Sequence, residues 1–183
     1  MSNPQSSGQQ GALLRIPAEI VHAVKTQAEA EAPNEACGYL VGTRAGLIRS
    51  ARRRIRMTNA DASPEHFSFV PKEQFAALKD ARETGEELVA VYHSHPETPA
   101  RMSEEDIRLA NDPDTIYVIH SLATGDTKGF VVSKDSDGEK QISEVPVDIL
   151  QEGTLATEGA PPDQTTEGAP PDQTTEGAPP DQT

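Results

Sequence analysis

Two histidines, a serine and an aspartate lie within one short segment, HSHPETPARMSEEDIRLA, as His93, His95, Ser103 and Asp106. Imidazole nitrogens and carboxylate oxygens are ordinary zinc ligands, and catalytic zinc sites typically use three protein ligands and keep the fourth position for water. Taken alone, Ser103 and Asp106 would also fit a helix capping arrangement. The coincidence of all four residues predicts a catalytic zinc site with His93, His95 and Asp106 as its ligands.

Two predicted elements would position these side chains. The apolar run in ELVAVYHSHP predicts a buried strand at 88–92, and His93 and His95 follow it on the same side because side chains alternate along a strand. Ser103, followed by acidic residues and then apolar ones, predicts a helix start. Residues three apart share one face of a helical turn, so Ser103 and Asp106 could both face the histidines.

Glu35 is the best candidate for the proton carrier that a hydrolytic zinc site also needs. It lies in PNEACGYLVG, where Pro33 and Asn34 mark the end of a helix and an apolar strand follows. The alternative is an ordinary loop carboxylate with no part in chemistry.

Together these segments resemble the JAMM metalloprotease family, also called the MPN+ domain. The resemblance rests on Glu35 within EACGYLVG, on HSH and, seven residues later, on SxxD, and it covers residues 12–149. It implies one zinc ion per chain bound by His93, His95 and Asp106, with Glu35 as general base and then general acid. It gives Ser103 the role of holding the oxyanion with its hydroxyl. Met102 is a departure, because relatives often carry proline there.

The resemblance also implies the reaction, which is hydrolysis of an amide or thioester-related carbonyl by zinc-activated water without a covalent intermediate. Family members cut after the C-terminal diglycine of ubiquitin-like proteins, and small stand-alone prokaryotic members are similar to hydrolases of sulfur-carrier proteins. The expected partner is therefore a ubiquitin-like or sulfur-carrier protein. The leaving group, whether lysine, cysteine or a peptide, and the oligomeric state stay open.

Two other classes of function remain as alternatives. The first is a non-catalytic MPN-type protein-binding module, which is disfavoured because all five active positions are present. The second is a zinc deaminase, which would require a PCxxC ligand pair. Cys37 is the single cysteine, so it cannot supply that pair, and we expect it to be buried packing rather than a nucleophile.

Composition excludes several classes of protein. The formal net charge of −14 over 183 residues argues against nonspecific binding to nucleic acid. No apolar run is long enough for a membrane span, and the N-terminus MSNPQSSGQQG is not signal-like. A single cysteine suits a reducing compartment. We therefore expect a cytoplasmic enzyme with no membrane partner.

The chain divides into three predicted parts: a flexible N-terminus at 1–11, the JAMM/MPN metalloprotease domain at 12–150, and a disordered acidic tail at 151–183. The tail contains three copies of TEGAPPDQT, whose composition cannot bury a core. Their six carboxylates account for −6 of the net charge, which leaves −8 for the remainder. The tail could be a solubility or docking segment or a neutral repeat expansion.

The domain itself is predicted to have an α/β fold, because helices and strands alternate along it. The resemblance implies a mixed β-sheet flanked by helices, similar to the cytidine-deaminase-like fold. Besides the histidine strand and the Ser103 helix, the pattern predicts helices at 17–31 and 71–83 and strands at 12–16, 37–42, 47–57, 66–70, 116–122 and 129–133.

One segment, RSARRRIRM, is basic and predicts a strand that carries Arg49, Arg52, Arg53, Arg54 and Arg56. It is either an edge strand whose charge prevents pairing or a dock for an acidic surface or a carboxylate-bearing tail. Where the resemblance places it, this strand could line the substrate groove together with the loop at 59–65. The remaining histidines, His22, His66 and His120, are expected to be structural or exposed.

Overall fold

The computed structural model describes residues 11–151, which form eight strands and three helices. The elements are β1 (Leu13–Pro17), α1 (Ala18–Glu31), β2 (Cys37–Ala45), β3 (Ile48–Met57), α2 (Pro71–Glu83), β4 (Glu87–His95), α3 (Glu104–Leu109), β5 (Tyr117–Ser121), β6 (Thr127–Lys134), β7 (Lys140–Val145) and β8 (Val147–Leu150). Apart from Gly11 and Gln151, the predicted flexible N-terminus and disordered tail lie outside the described residues.

All eight strands belong to one sheet in the order β7-β6-β5-β4-β2-β3-β1-β8. Three neighbouring pairs are parallel, namely β4 with β5, β1 with β3 and β1 with β8, and the others are antiparallel. The predicted α/β fold with a mixed, helix-flanked sheet is confirmed.

The sheet is curled, and one short connection shows why. β7 and β8 lie at opposite edges of the strand order, yet only Pro146 separates them in the chain. The two edges must therefore approach each other. The Leu14 N–H, on β1, donates to the Pro146 carbonyl at 3.0 Å, which fastens the connection to the far side of the sheet.

The apolar core lies on both faces of the central strands. Along β2, Tyr39 and Val41 contact the cluster beneath α2, whereas Leu40 belongs to the cluster that includes residues of α1. This alternation explains the continuous apolar run in CGYLV, because a strand covered on both faces needs apolar residues at every position. α1 buries Ile20 and Val24, one turn apart, against the sheet.

One strand prediction is wrong, and two strands were missed. The predicted strand at 66–70 is wrong, since this segment is a loop with only one isolated bridge, between Asn59 and Phe69. Phe67 and Phe69 pack on the cluster beneath α2. Their alternation with polar residues therefore results from burial of the two rings and not from pairing with another strand. β7 and β8 were not predicted, because all of their side chains except Val145 are exposed or only half-buried and β7 is mostly polar.

The edge-strand interpretation of the arginine-rich segment needs correction for its first residues. β3 lies between β2 and β1, and Ile48 to Ser50 pair on both sides, whereas within residues 11–151 the rest of β3 pairs with β2 alone. Four of its five arginines have partners within the chain. These contacts join Arg49 to the Val89 carbonyl (3.4 Å), Arg53 to Glu86 (2.6 Å) and Asp80 (2.7 Å), Arg54 to Gln27 (2.6 Å) and Arg56 to Glu31 (2.8 Å). Among the residues that the structure describes, Arg52 is the one arginine of β3 without such a partner, so its charge is available for the docking interpretation.

No helix within residues 11–151 is long and apolar enough to cross a membrane.

Candidate active site

The two histidines lie at the end of β4, in the middle of the sheet between β2 and β5. Both side chains are buried, and their Nε2 atoms are 3.1 Å apart. The prediction that His93 and His95 point to the same side is therefore confirmed.

The His95 ring is oriented by contacts at its Nδ1 atom. Its Nδ1 lies 3.2 Å from the Pro99 carbonyl oxygen and 3.0 Å from Thr98 Oγ1. A carbonyl only accepts hydrogen bonds, so Nδ1 carries the proton and donates it to Pro99. This leaves Nε2, the atom that faces His93, as the nitrogen that a metal would bind, and a hydrogen bond at Nδ1 is what orients a metal-binding imidazole.

Asp106 approaches the histidines from the first turn of α3. Its Oδ1 is 3.1 Å from His93 Nε2, and its Oδ2 is 3.4 Å from His95 Nε2. α3 also begins with a capping box, in which Ser103 Oγ accepts from the Asp106 N–H at 3.1 Å and the Ser103 N–H donates to Asp106 Oδ2 at 2.8 Å. Capping and presentation of the carboxylate therefore occur together, and the two interpretations of this pair do not compete.

Glu35 lies in the loop between α1 and β2, on the other side of the histidines. Its Oε1 is 3.8 Å from His95 Nε2, and its side chain is buried. Within residues 11–151 its Oε2 has no hydrogen-bond partner. The loop is attached to β4, because Ser94 Oγ accepts from the Ala36 N–H at 2.8 Å. A buried carboxylate oxygen is thus available to a ligand or to water.

These spacings fit a divalent metal ion. Ligand atoms placed about 2.0–2.1 Å from a tetrahedral zinc ion would be about 3.3 Å from one another. The pairs among His93, His95 and Asp106 are 3.1, 3.1 and 3.4 Å apart, whereas the Glu35 contact with His95 is longer at 3.8 Å. Ligand atoms of Glu35 and the two histidines also lie within 4.8 Å of one another, so either carboxylate could complete the set.

The two carboxyl groups differ in their affinity for protons. Burial raises the pKa of Glu35 to about 9, and the negative charges of Asp106 and Glu65 act in the same direction. Burial also opposes ionisation of Asp106, but hydrogen bonds from His93 and His95 outweigh it and hold the pKa of Asp106 well below its usual range. Two neighbouring acids whose environments separate their pKa values are a common arrangement for acid–base chemistry.

A cavity of about 520 Å³ opens beside the cluster, and a smaller one of about 240 Å³ lies on the other side of Glu35. The larger is lined by Glu35, Pro64, Glu65, His66, His95, Thr98, Arg101, Ser103, Glu104 and Glu105. The smaller is lined by Glu31, Asn34, Glu35, Arg56, Thr58, Asn59 and Ala62. The basic strand and the loop at 59–65 therefore contribute to the surroundings of Glu35.

The comparisons with known proteins agree with this geometry. A family model described as prokaryotic homologs of the JAB domain, Prok-JAB, matches residues 17–133. The chain belongs to the Prok-JAB family. The CysO-cysteine peptidase of Mycobacterium tuberculosis is 33% identical to it over 76% of this chain and 93% of the relative. A Thermus thermophilus protein named "Probable TtuB-protein conjugate cleaving protease" is 33% identical over 56% of this chain and 67% of the relative.

A solution structure of a Desulfitobacterium hafniense protein has a TM-score of 0.68 and 39% identity to this Prok-JAB chain, and covers 76% of this chain and 94% of the other. The predicted membership of a small JAMM-type family and the predicted hydrolase class are confirmed by these relatives.

The histidines outside the cluster have varied surroundings. His22 is exposed, and His120 is buried with Nδ1 2.9 Å from Thr127 Oγ1. His66 lines the larger cavity next to Glu35 and His95, a position that the sequence did not predict.

Cys37 is buried, and burial raises the pKa of its thiol to about 12, which makes it a poor nucleophile.

Sequence reasoning missed Asn59, which holds the backbone around Glu35. Its Nδ2 donates to the carbonyls of Glu35 (3.1 Å), His66 (3.1 Å) and Ser63 (3.4 Å), and its Oδ1 accepts from two N–H groups of the same loop. The Glu35 N–H in turn donates to the Ser63 carbonyl at 2.9 Å. The available signal was an asparagine before a turn, and nothing in its spacing linked it to Glu35.

Proposed function

We propose that this Prok-JAB protein is a zinc-dependent peptidase or isopeptidase that hydrolyses the bond after the C-terminal diglycine of a ubiquitin-like or sulfur-carrier protein. The observation that carries the proposal is the buried cluster: three donors at coordination spacing stand next to a carboxyl group with an unpartnered oxygen. The relatives named for CysO-cysteine and for TtuB-protein conjugates support this class of substrate.

His93, His95 and Asp106 would hold one zinc ion. The short distances among these three favour them over a set that includes Glu35. Zinc would supply Lewis-acid chemistry there, which polarises a carbonyl and makes water a better nucleophile near neutral pH. The hydrogen bond from His95 Nδ1 to Pro99 keeps the Nε2 lone pair directed at the ligand position.

Glu35 would move the proton. Its Oε2 has no partner within residues 11–151, and it lines both cavities, so it can contact water and substrate at once. Beside a divalent cation, whose charge would lower its raised pKa, Glu35 would take a proton from the attacking water and return it to the departing amine. The hydrogen bonds from Asn59 and to Ser63 fix the backbone on both sides of Glu35 and so restrict where the carboxyl group can lie.

Ser103 would stabilise the oxyanion with its hydroxyl. Ser103 lines the larger cavity, but in the present conformation its hydroxyl donates to Asp106 Oδ2 at 2.7 Å. The proposed role therefore requires this hydroxyl to exchange Asp106 for the substrate oxygen when substrate is bound.

The alternative is a non-catalytic MPN-type binding module. A binding module has no need of a buried carboxyl group with a free oxygen next to three metal donors, so the cluster favours the enzyme.

A cytoplasmic location also stays a prediction, which the single unpaired cysteine supports.

The proposal is tested by incubating the purified protein with diglycine-ending proteins of the same organism, each extended by a further residue or linked to a lysine. Mass spectrometry then reads their masses before and after incubation. We expect the substrate to lose the mass that corresponds to cleavage after the diglycine. We also expect the active protein to contain close to one zinc ion per chain. A correctly folded protein that neither binds zinc nor cuts any extended diglycine would contradict the proposal.

A further inference from the structure

Arg101 lies in the loop between β4 and α3 and lines the larger cavity together with Glu35, His95 and Ser103. Within residues 11–151 its guanidinium makes no hydrogen bond or ion pair. Most arginines of the domain have partners, as on β3, where Arg53 pairs with Glu86 at 2.6 Å. Arg101 is therefore available to bind a ligand that enters the cavity.

The other charged residues around this cavity have the opposite sign. Glu65, Glu104 and Glu105 line it, and Glu105 is already paired with Arg108, whose Nε lies 2.9 Å from Glu105 Oε2. An anionic group that entered the cavity would be repelled by this acidic surface except where Arg101 offers a positive charge. The distribution of charge thus gives an incoming carboxylate one favourable position.

We infer that Arg101 binds the free α-carboxylate of a single amino acid attached after the diglycine, and so selects an amino acid as the leaving group. The inference rests on the proposed function. The planar guanidinium matches a carboxylate with two parallel hydrogen bonds. Among the leaving groups that the proposed function allows, a single amino acid carries a carboxylate one carbon from the scissile nitrogen, whereas a lysine within a protein carries none there.

The reaction that this assigns is hydrolytic release of one amino acid. Water adds its hydroxyl to the carbonyl carbon of the terminal glycine, and the C–N bond breaks. The nitrogen receives the proton that Glu35 carries, so the carrier protein ends in a free glycine carboxylate. The released amino acid keeps its own carboxylate, which Arg101 holds throughout.

The test uses two substrates that differ only at the carboxylate: a sulfur-carrier protein extended after its diglycine by cysteine, and the same protein ending in cysteine amide. A charge-assisted hydrogen bond at Arg101, which is exposed, should give the wild type about a tenfold higher kcat/KM for the acid, mainly through KM. Arg101→Gln should lower kcat/KM for the acid about tenfold and so remove the preference.

Arg82→Gln is the matched control, because Arg82 lies on α2 and lines neither cavity. It should keep the preference for the acid. Equal cleavage of acid and amide by the wild type, or an unchanged preference in Arg101→Gln, would overturn the inference while the proposed function stands. Cleavage of neither substrate, nor of a lysine-linked one, would overturn the proposed function and this inference with it.

Discussion

The histidines and the carboxylates of this site are held by different kinds of structure. His93 and His95 belong to a buried strand with a hydrogen-bonded strand on each side. Asp106 belongs to a six-residue helix that has no buried residue, and Glu35 belongs to a loop. Backbone ladders fix the first pair, whereas a few polar side-chain contacts fix the second pair.

The histidine half is fixed from both sides of β4. His93 lies opposite Cys37 on β2 and Ile119 on β5, and the His95 carbonyl accepts from the Leu122 N–H at 3.0 Å. Moving either imidazole would require breaking sheet hydrogen bonds and the packing around them. The spacing of these two ligand atoms is therefore the most rigid part of the site.

The carboxylate half depends on individual contacts. The capping box holds the start of α3, and Lys140 from β7 holds its end, where Nζ donates to the carbonyls of Ile107 at 2.7 Å and Arg108 at 2.8 Å. A cation at a helix C-terminus also interacts favourably with the helix dipole. Asn59 has the corresponding role for the Glu35 loop. The comparison predicts that the two halves respond differently to substitution.

The largest effect is expected from removing a ligand. Asp106→Ala should lower zinc affinity by more than about a hundredfold, because losing a group that only supports a ligand already costs about 10- to 100-fold. Zinc content after dialysis against a weak chelator measures it. Glu104→Ala on the same helix is the control and should retain zinc, since Glu104 lies outside the cluster. Full zinc retention in Asp106→Ala would exclude Asp106 as a ligand and favour Glu35.

Glu35→Gln should separate binding from catalysis. The amide keeps the shape of the side chain but cannot accept and return a proton, so kcat should fall by about 10²- to 10⁴-fold while zinc content stays at the wild-type value. Glu83→Gln, at an exposed position of α2 that lines neither cavity, is the matched control for a lost negative charge. Turnover of Glu35→Gln at the wild-type rate would exclude Glu35 as the proton carrier.

This division between the two halves also marks what the sequence could predict. The histidine spacing is local, so strand alternation alone placed both imidazoles on one side. The Asp106 position followed from the short SxxD helix start. Asn59 and Lys140 could not be found, because their contacts join residues 24 and 32 to 33 positions apart and so depend on the tertiary fold. β7 and β8 were missed because their side chains are mostly exposed or half-buried and leave no buried apolar pattern.

A smaller effect is expected from Asn59→Ala, which removes the side chain that holds the Glu35 carbonyl. A misplaced proton carrier should lower kcat by about tenfold with KM and zinc content nearly unchanged. Loss of several buried hydrogen bonds should also lower the free energy of unfolding by about 2 kcal/mol. Ser68→Ala in the same loop is the control, because its side chain is exposed. Equal changes in kcat for both variants would indicate a general loop effect rather than positioning of Glu35.

The smallest effect should follow from Lys140→Met, which leaves every residue of the cluster in place. The last turn of α3 would lose its three acceptor contacts, to the carbonyls of Ile107 and Arg108 and to Asn111 Oδ1, so Asp106 should be held less firmly. We expect a two- to tenfold lower zinc affinity, at or below the lower end of the about 10- to 100-fold typical of groups that contact a ligand directly. Lys128→Met on β6 removes the same charge without touching α3. If both variants weakened zinc binding equally, the cause would be lost charge and α3 would be held by its capping box alone.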